Sequence, residues 1–129
     1  MAQKENLLTR LEDFIVWFLP HLEQFPRNYK FLLGDRCVKI MLDIYEALID
    51  AYYSKDKLAK LQRANLELEK LRRVLSVCTR MKFLSVTQLA HASNRLYEIG
   101  VDLGGWVKQA AKGKGQTESE KGQAEKTSQ

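Results

Sequence analysis

The residues best suited to chemistry are the lysines and arginines between positions 55 and 84. This segment holds nine basic residues against three acidic ones, a net charge of +6, whereas the whole chain carries +5. At about 100° per residue, five of them fall on one third of a helix circumference: Lys55, Arg63, Lys70, Arg73 and Arg80. Such a basic row is typical of proteins that contact nucleic-acid phosphates. We predict that these five residues bind RNA or DNA. The alternative is a solvated face, which is favoured by the two glutamates that interrupt the basic run, Glu67 and Glu69.

Catalytic chemistry has no matching motif in this sequence. A di-iron site in a helical bundle needs a glutamate three residues before each histidine, but Phe18 precedes His21 and Gln88 precedes His91. The sequence also lacks a phosphate-binding glycine loop and a CxxC pair. Three acidic residues share one side of a predicted helix, where we expect a solvated or ion-paired face rather than a metal site: Asp43, Glu46 and Asp50. We therefore predict a protein that is not an enzyme and holds no cofactor or metal.

Cysteine use and hydropathy point to a cytoplasmic protein. Cys37 and Cys78 both fall on apolar stretches, so we expect two buried thiols in a reducing compartment. The uncharged run at residues 14–22 is far shorter than the roughly 20 residues that a membrane-spanning helix needs. The N-terminal segment lacks the apolar core of a secretory signal. We expect no membrane association.

Both prolines of the chain lie near the end of the first predicted helix. Its apolar stripe has the three-and-four spacing of an amphipathic helix: Leu8, Leu11, Ile15, Phe18, Leu22 and Phe25. Pro20 lies within this helix and cannot donate to the carbonyl of Val16, so we predict a kink there. Pro26 follows the last stripe residue and predicts the helix end, with a second helix starting within a few residues.

Three further stripes predict three more helices. The second helix carries Leu33, Cys37, Ile40, Ile44, Leu48 and Ala51. The third, capped by Ser54 or Asp56, carries Leu58, Leu61, Asn65, Leu68, Leu75 and Cys78. The fourth begins at a capping box of Ser85 and Gln88 and carries Leu89, Ala92, Leu96, Ile99, Leu103 and Trp106.

These four helices and their short connections predict an all-α, antiparallel up-down-up-down four-helix bundle over residues 1–111. Residues 112–129 contain no apolar side chain larger than alanine. Because such a segment cannot bury enough surface to offset the entropy of ordering, we predict a disordered polar tail.

Some residues outside the predicted core suggest contact with another subunit. Leu66 and Val77 lie within the arc of the basic row, where solvent is a poor environment for them. On the fourth helix, Gly100 and Gly104 form a stripe of small residues, although each helical glycine costs about 1 kcal/mol relative to alanine. We predict that Leu66, Val77, Gly100 and Gly104 contribute to an oligomer interface.

Two separated segments resemble one known family. The stretch "FLPHLEQFPRNYKFLLGDRC" resembles the junction of the first two helices in accessory variability determinants of diversity-generating retroelements. The stretch "LSVTQLAHASNRLYEIGVDLGGWVKQ" is similar to the fourth helix of the same family, and "LEKLRRVLSVCTRMKFLS" is similar to its third. The resemblance covers about residues 8–111. This four-helix bundle family also includes proteins encoded by bacterial 23S rRNA intervening sequences.

The resemblance implies a barrel-shaped homopentamer with a positively charged surface. It implies a subunit without catalytic residues that binds RNA and DNA and associates with the reverse transcriptase of the retroelement in mutagenic retrohoming. Arg63, Lys70, Arg73 and Arg80 lie where the family carries its charge. One alternative is an intervening-sequence protein that acts on or with ribosomal RNA, and another is an oligomer whose basic face serves assembly alone. The neighbouring genes would distinguish the retroelement role from the ribosomal-RNA role.

Overall fold

Four long helices make up most of the chain in a computed structural model that describes the backbone of residues 2–127 and the side chains of residues 6–113. They are α1 (Ala2–Phe18), α2 (Asp35–Tyr53), α3 (Leu58–Arg80) and α4 (Val86–Thr127). Within residues 2–127 every element is helical. The predicted all-α fold is therefore confirmed. None of the described helices has a stretch long and apolar enough to cross a bilayer.

The helices pack as a bundle in which sequence neighbours are also neighbours in space. Each helix packs against the next, and α1 also packs against α4. The first and last helices run antiparallel, because Arg10 pairs with Asp102 at 2.9 Å whereas Trp17, further along α1, contacts His91, earlier in α4. This topology places the α1–α2 and α3–α4 connections at one end of the bundle, which we call the junction end.

The core faces of α2 and α4 follow the predicted stripes. On α2, the predicted residues from Cys37 to Ala51 are buried, together with Met41. On α4, the predicted residues from Ala92 to Trp106 are buried as well. Leu33 and Leu89, the first residues of the two stripes, are partly buried at the edge of the core.

The prediction was wrong in part on the other two helices. The core face of α1 runs through Leu7 and Phe14, while Leu8 and Ile15 pack at its edge. Both choices have helical spacing, and packing against α2 and α4 selects between them. On α3, Asn65 is exposed and its predicted place in the core is taken by Ala64 and Leu71. These two keep the three-and-four spacing: Leu61, Ala64, Leu68, Leu71, Leu75 and Cys78.

The two prolines change the helix type rather than kink a continuous helix. α1 ends at Phe18 and continues as a 3₁₀ helix, Leu19–Gln24, with Pro20 in its first turn. Because Pro20 has no N–H to donate to Val16, the tighter hydrogen-bonding pattern replaces the α-helical one. Phe25 and Pro26 are extended, with ψ of 139° and 141°. The carbonyl of Pro26 then accepts from the N–H groups of Tyr29 and Lys30, each at 2.9 Å, and restarts the helix.

The restart passes through a short helical turn, Arg27–Tyr29, and a π-helical turn, Lys30–Gly34, before α2. Gly34 is buried there, and a Cβ at this position would lie 2.8 Å from Cδ2 of Leu22. The missing side chain thus lets the 3₁₀ segment pack closely against the start of α2. Rings join the two connections of the junction end: Phe83 lies 5.5 Å from Phe25 and 5.1 Å from Tyr29 between ring centroids.

The helix ends confirm one predicted cap and contradict another. The N–H of Gln88 donates to Oγ of Ser85 at 3.0 Å, and the N–H of Ser85 donates to Oε1 of Gln88 at 2.8 Å, as a capping box requires. Neither Ser54 nor Asp56 caps α3, because Lys57 occupies that position without a side-chain cap bond. The ammonium of Lys57 instead donates to carbonyls at the end of α2, including those of Ala51 and Ser54, each at 2.8 Å.

The thiols are free and buried, as predicted. Cys37 of α2 and Cys78 of α3 form a hydrogen-bonded pair, and this bond together with burial raises the pKa of Cys37. The backbone of α4 is helical as far as Thr127, but most side chains of the predicted tail, residues 112–129, lie outside the described residues. Disorder of that segment stays a prediction.

We expect Ser85→Ala to lower the free energy of unfolding by about 0.5–2 kcal/mol, because it removes the acceptor for the N–H of Gln88. Urea denaturation measures this loss. Thr87→Ala is the matched control, an exposed position in the same turn, and should leave stability within about 0.5 kcal/mol of the parent. Equal stability of the Ser85 variant and the parent would show that the capping box does not hold the start of α4.

Candidate nucleic-acid interface

The basic row lies on the outer surface of α3 and the turn before it. All five predicted residues are exposed, and the side chain of Arg73 is 83% exposed. Leu66 and Val77 lie on the same stripe and are also exposed, at three-and-four spacing between the cations. The stripe therefore presents both charge and apolar surface to its surroundings: Arg63, Leu66, Lys70, Arg73, Val77 and Arg80.

A buried glutamate holds two members of the row. The side chain of Glu67 is only 7% exposed, and its Oε1 lies 3.0 Å from Nζ of Lys70 and 3.9 Å from Nε of Arg63. A buried carboxylate needs a partner because desolvation disfavours its charge. Lys70 and Arg63 therefore have a structural role in addition to any contact with a ligand.

Glu69 engages two neighbouring arginines at the surface. Its carboxylate accepts from Nε of Arg73 at 3.2 Å and from Nη1 of Arg72 at 3.3 Å. The hydrogen bonds from Arg72 and Arg73 lower the pKa of Glu69, so it stays ionised at neutral pH. Exposed pairs of this kind contribute little to stability, and a phosphate can compete for the arginines. Among the described side chains, no ion pair is seen for Arg80 or Lys55.

The groove between α2 and α3 adds cations that the sequence did not predict. It has a volume of about 480 Å³, and Arg36 and Lys39 of α2 line it opposite Lys70 and Arg73. Asp43, Glu67 and Glu69 also line this groove. Arg36 and Lys39 are three residues apart in the sequence and lie next to the core residue Ile40. This spacing places both on one face of α2, but it does not show which helix packs opposite that face. We use the name basic groove for the four cations that line it, Arg36, Lys39, Lys70 and Arg73, together with Arg80, which lies further along the same stripe of α3.

The other half of the same seam has as many acidic as basic side chains, and Lys39 also lines it. A second groove of about 520 Å³ is lined on α2 by the predicted acidic side of that helix, Asp43, Glu46 and Asp50. Lys60 and Arg63 of α3 lie across from it. Opposite charges thus line this groove together, although among the described side chains no ion pair within 4 Å joins these three carboxylates to Lys60 or Arg63. The described residues include no cluster of three or more His, Cys, Asp or Glu that could hold a metal ion. Arg63 therefore lies beside these carboxylates and does not line the basic groove.

The glycines of α4 have different surroundings. A Cβ at Gly100 would lie 2.7 Å from Nη2 of Arg72, which donates to the carbonyl of Leu96 at 3.3 Å. Gly100 therefore has a close neighbour within its own chain, and its place in an oligomer interface stays a prediction. Gly104 has no atom within 4 Å of such a Cβ position, so space is open above it. Two exposed apolar residues lie on the same outer face of α4, Tyr97 and Val101, and the sequence pattern did not predict them as interface residues.

Both histidines pack against one tryptophan. The rings of His21 and His91 each lie 4.5 Å from the Trp17 ring. His21 donates through Nδ1 to the carbonyl of Trp17 at 2.8 Å, and Nε2 of His91 accepts from Nε of Arg95 at 3.2 Å. Both imidazoles are therefore part of the packing where α1 meets α4.

We expect Lys70→Gln to lower the free energy of unfolding by about 1–3 kcal/mol, because it leaves the buried Glu67 with only the longer contact to Arg63. Adding Glu67→Gln should restore part of the loss, since a neutral amide costs less to bury. Lys60→Gln, an exposed lysine of the same helix, is the control. Urea denaturation of the four proteins measures the effect, and an unchanged midpoint for Lys70→Gln would contradict the assigned role of Glu67.

Comparison with known proteins gives one match. Among curated proteins, no sequence match is found. The family model described as bAvd-like matches residues 6–110. This range includes the junction end, the basic groove and α4 as far as Ala110. The chain therefore belongs to the bAvd-like family.

Proposed function

We propose that this protein is a non-catalytic accessory subunit of the reverse transcriptase of a diversity-generating retroelement. In this role it binds RNA and DNA through the basic groove and assembles as a homopentamer. The match to the bAvd-like family over residues 6–110 is the observation that carries the proposal. It also favours this role over that of an intervening-sequence protein acting with ribosomal RNA, although both would use the same basic surface.

The basic groove supports the nucleic-acid part of the proposal. Its cations come from two helices, so a phosphate backbone lying along the α2–α3 seam could contact both sides. Side chains that contact phosphates position the nucleic acid without reading its bases. Affinity should therefore depend strongly on salt and weakly on sequence.

The engaged histidines and buried thiols support a non-catalytic role. Each imidazole packs on Trp17 and has a hydrogen-bond partner, and Cys37 and Cys78 are fully buried. The groups most often used as general base or nucleophile thus serve packing in this chain. The chemistry of copying would belong to the reverse transcriptase.

We expect Arg73→Gln with Arg80→Gln to weaken binding of a short mixed-sequence RNA by roughly tenfold at low salt. Two lost phosphate contacts should also reduce the slope of log K against log salt by about 0.7–0.9 each. This pair avoids Arg63 and Lys70, whose neutralisation would leave Glu67 without a partner. Fluorescence anisotropy across a salt series gives both quantities.

Two further variants make this test specific. Lys60→Gln with Lys108→Gln removes the same charge elsewhere and should have a smaller effect. Glu69→Gln should strengthen binding, because it releases Arg72 and Arg73 from their carboxylate partner. If the arginine pair and the lysine pair weaken binding equally, the protein responds to net charge and the basic groove is not the site.

Two outward faces support the homopentamer. A ring of identical subunits needs two different complementary surfaces on each subunit. One candidate is the outer stripe of α3 with Leu66 and Val77, and the other is the outer face of α4 with Tyr97, Val101 and Gly104. The open space above Gly104 would admit the backbone of a neighbouring helix.

We expect Gly104→Ala to reduce the mass of the assembly at micromolar concentration. Alanine raises helix propensity by about 1 kcal/mol and meets no atom of its own chain, so a loss of mass cannot come from a weakened helix. Light scattering measures the mass, and Glu98→Ala, an exposed position on another side of α4, is the control. A monomeric parent protein, or an unchanged mass for Gly104→Ala, would contradict the assigned interface.

A further inference from the structure

A group of exposed apolar side chains lies at the junction end of the bundle. Those on the α1–α2 side are Leu19, Tyr29, Phe31 and Leu32, and those on the α3–α4 side are Met81 and Val86. The ring contact between Tyr29 and Phe83 joins the two sides. We call these six residues the junction patch.

The most exposed members of the patch have more than half of their surface open to solvent. Phe31 is 67% exposed, Leu32 is 69% exposed and Val86 is 78% exposed. Phe31 and Leu32 lie in the π-helical turn Lys30–Gly34, a local helix type that is frequent at functional sites. Several exposed apolar residues at one end of a bundle indicate a surface for interaction with another molecule.

Cations surround the patch. Arg27 is exposed beside Tyr29, and Arg80 and Lys82 line a groove of about 580 Å³ together with Val86. The only acidic side chain within 4 Å of a described cation here is Glu23, which pairs with Lys30 at 3.3 Å. An apolar centre with a charged rim is the usual anatomy of a protein–protein interface. Here the rim is mostly positive, although Glu23 and Asp35 are also exposed on the α1–α2 side.

Lys82 adds an independent observation. Its φ is 66°, in the left-handed region that favours glycine, and it is the one described non-glycine residue with positive φ. The N–H of Lys82 donates to the carbonyl of Thr79, and the N–H of Phe83 donates to the carbonyl of Cys78, each at 2.9 Å. This is the hydrogen-bond pattern of a Schellman motif. Glycine would fit this position at lower conformational cost, by about 1 kcal/mol. A lysine there keeps a charge at the rim of the patch.

The chemistry of the patch favours a protein partner. Only two of the six residues, Tyr29 and Phe31, are aromatic. The other four cannot stack on bases as an aromatic platform for single-stranded nucleic acid does. Contact between two copies of the patch around a two-fold axis would bring Arg27, Arg80 and Lys82 against the same cations. An acidic and apolar protein segment satisfies both the apolar centre and the positive rim.

We propose that the junction patch docks an acidic, apolar segment of the reverse transcriptase. This inference rests on the proposed function, which names the reverse transcriptase as partner but not the surface that it contacts. In a ring of subunits, each copy would present one patch at the same rim of the assembly.

The test compares binding of the full chain and its variants to the purified reverse transcriptase of the same retroelement, after nuclease treatment to remove RNA. Phe31→Gln with Leu32→Gln should weaken this binding at least about tenfold. Lys82→Gly should also weaken it while raising thermal stability, since it removes a charge and relieves the left-handed lysine. Tyr53→Gln, an exposed aromatic at the opposite end of the bundle, is the control and should bind as the parent does.

Both Phe31/Leu32 and Tyr53 variants are also assayed for RNA affinity and for assembly mass, which should equal those of the parent. If the parent binds the reverse transcriptase and the Phe31/Leu32 variant binds equally well, the patch is wrong and the proposed function stands. If the parent does not bind the enzyme, both fail. A parallel loss of RNA affinity would make the patch a nucleic-acid surface, and a changed mass would make it a contact between copies; either result overturns the proposal.

Discussion

The carboxylate of Glu67, buried where α3 meets α2, constrains how the rest of the surface can be used. A charge in that position must keep a cation close, and Lys70 and Arg63 supply it from the same helix. Two of the lysines and arginines that look equivalent in sequence are therefore partly committed to the fold. Arg73 and Arg80 are not bound by that requirement, so the capacity to contact phosphate shifts toward the junction end of α3. The carboxylates of Asp43, Glu46 and Asp50, which line the seam beside Arg63, reinforce this division.

The junction end brings several consequences of one sequence feature together. Two prolines six residues apart convert the end of α1 into a 3₁₀ helix and then an extended corner. Gly34 lets that segment pack against α2, and the rings of Phe25, Tyr29 and Phe83 link it to the α3–α4 turn. The compact corner leaves Phe31 and the residues around it outside the core. The same bundle end thus holds both ring contacts between its two connections and exposed apolar residues from each of them.

Much of the fold could be predicted because helical spacing and capping are local. The core faces of α2 and α4 and the capping box followed from spacing alone. α1 was harder, because Leu7 and Leu8 each begin a stripe of helical spacing and only tertiary packing chooses between them. Site prediction was limited in the same way: the sequence indicated the row on α3, whereas the contribution of Arg36 depends on which helix lies opposite. The packing role of Gly100 likewise depends on a side chain from another helix.

The central claim is that this chain binds nucleic acid by phosphate contacts from the basic groove, and the salt dependence of the parent protein tests it most directly. Affinity is measured for two RNAs of equal length and unrelated sequence across a salt series. The account predicts equal affinities and a linear fall of log K with log salt, with a slope of about −3 or steeper for a groove of five cations. A slope near zero, or a strong preference for one sequence, would contradict it.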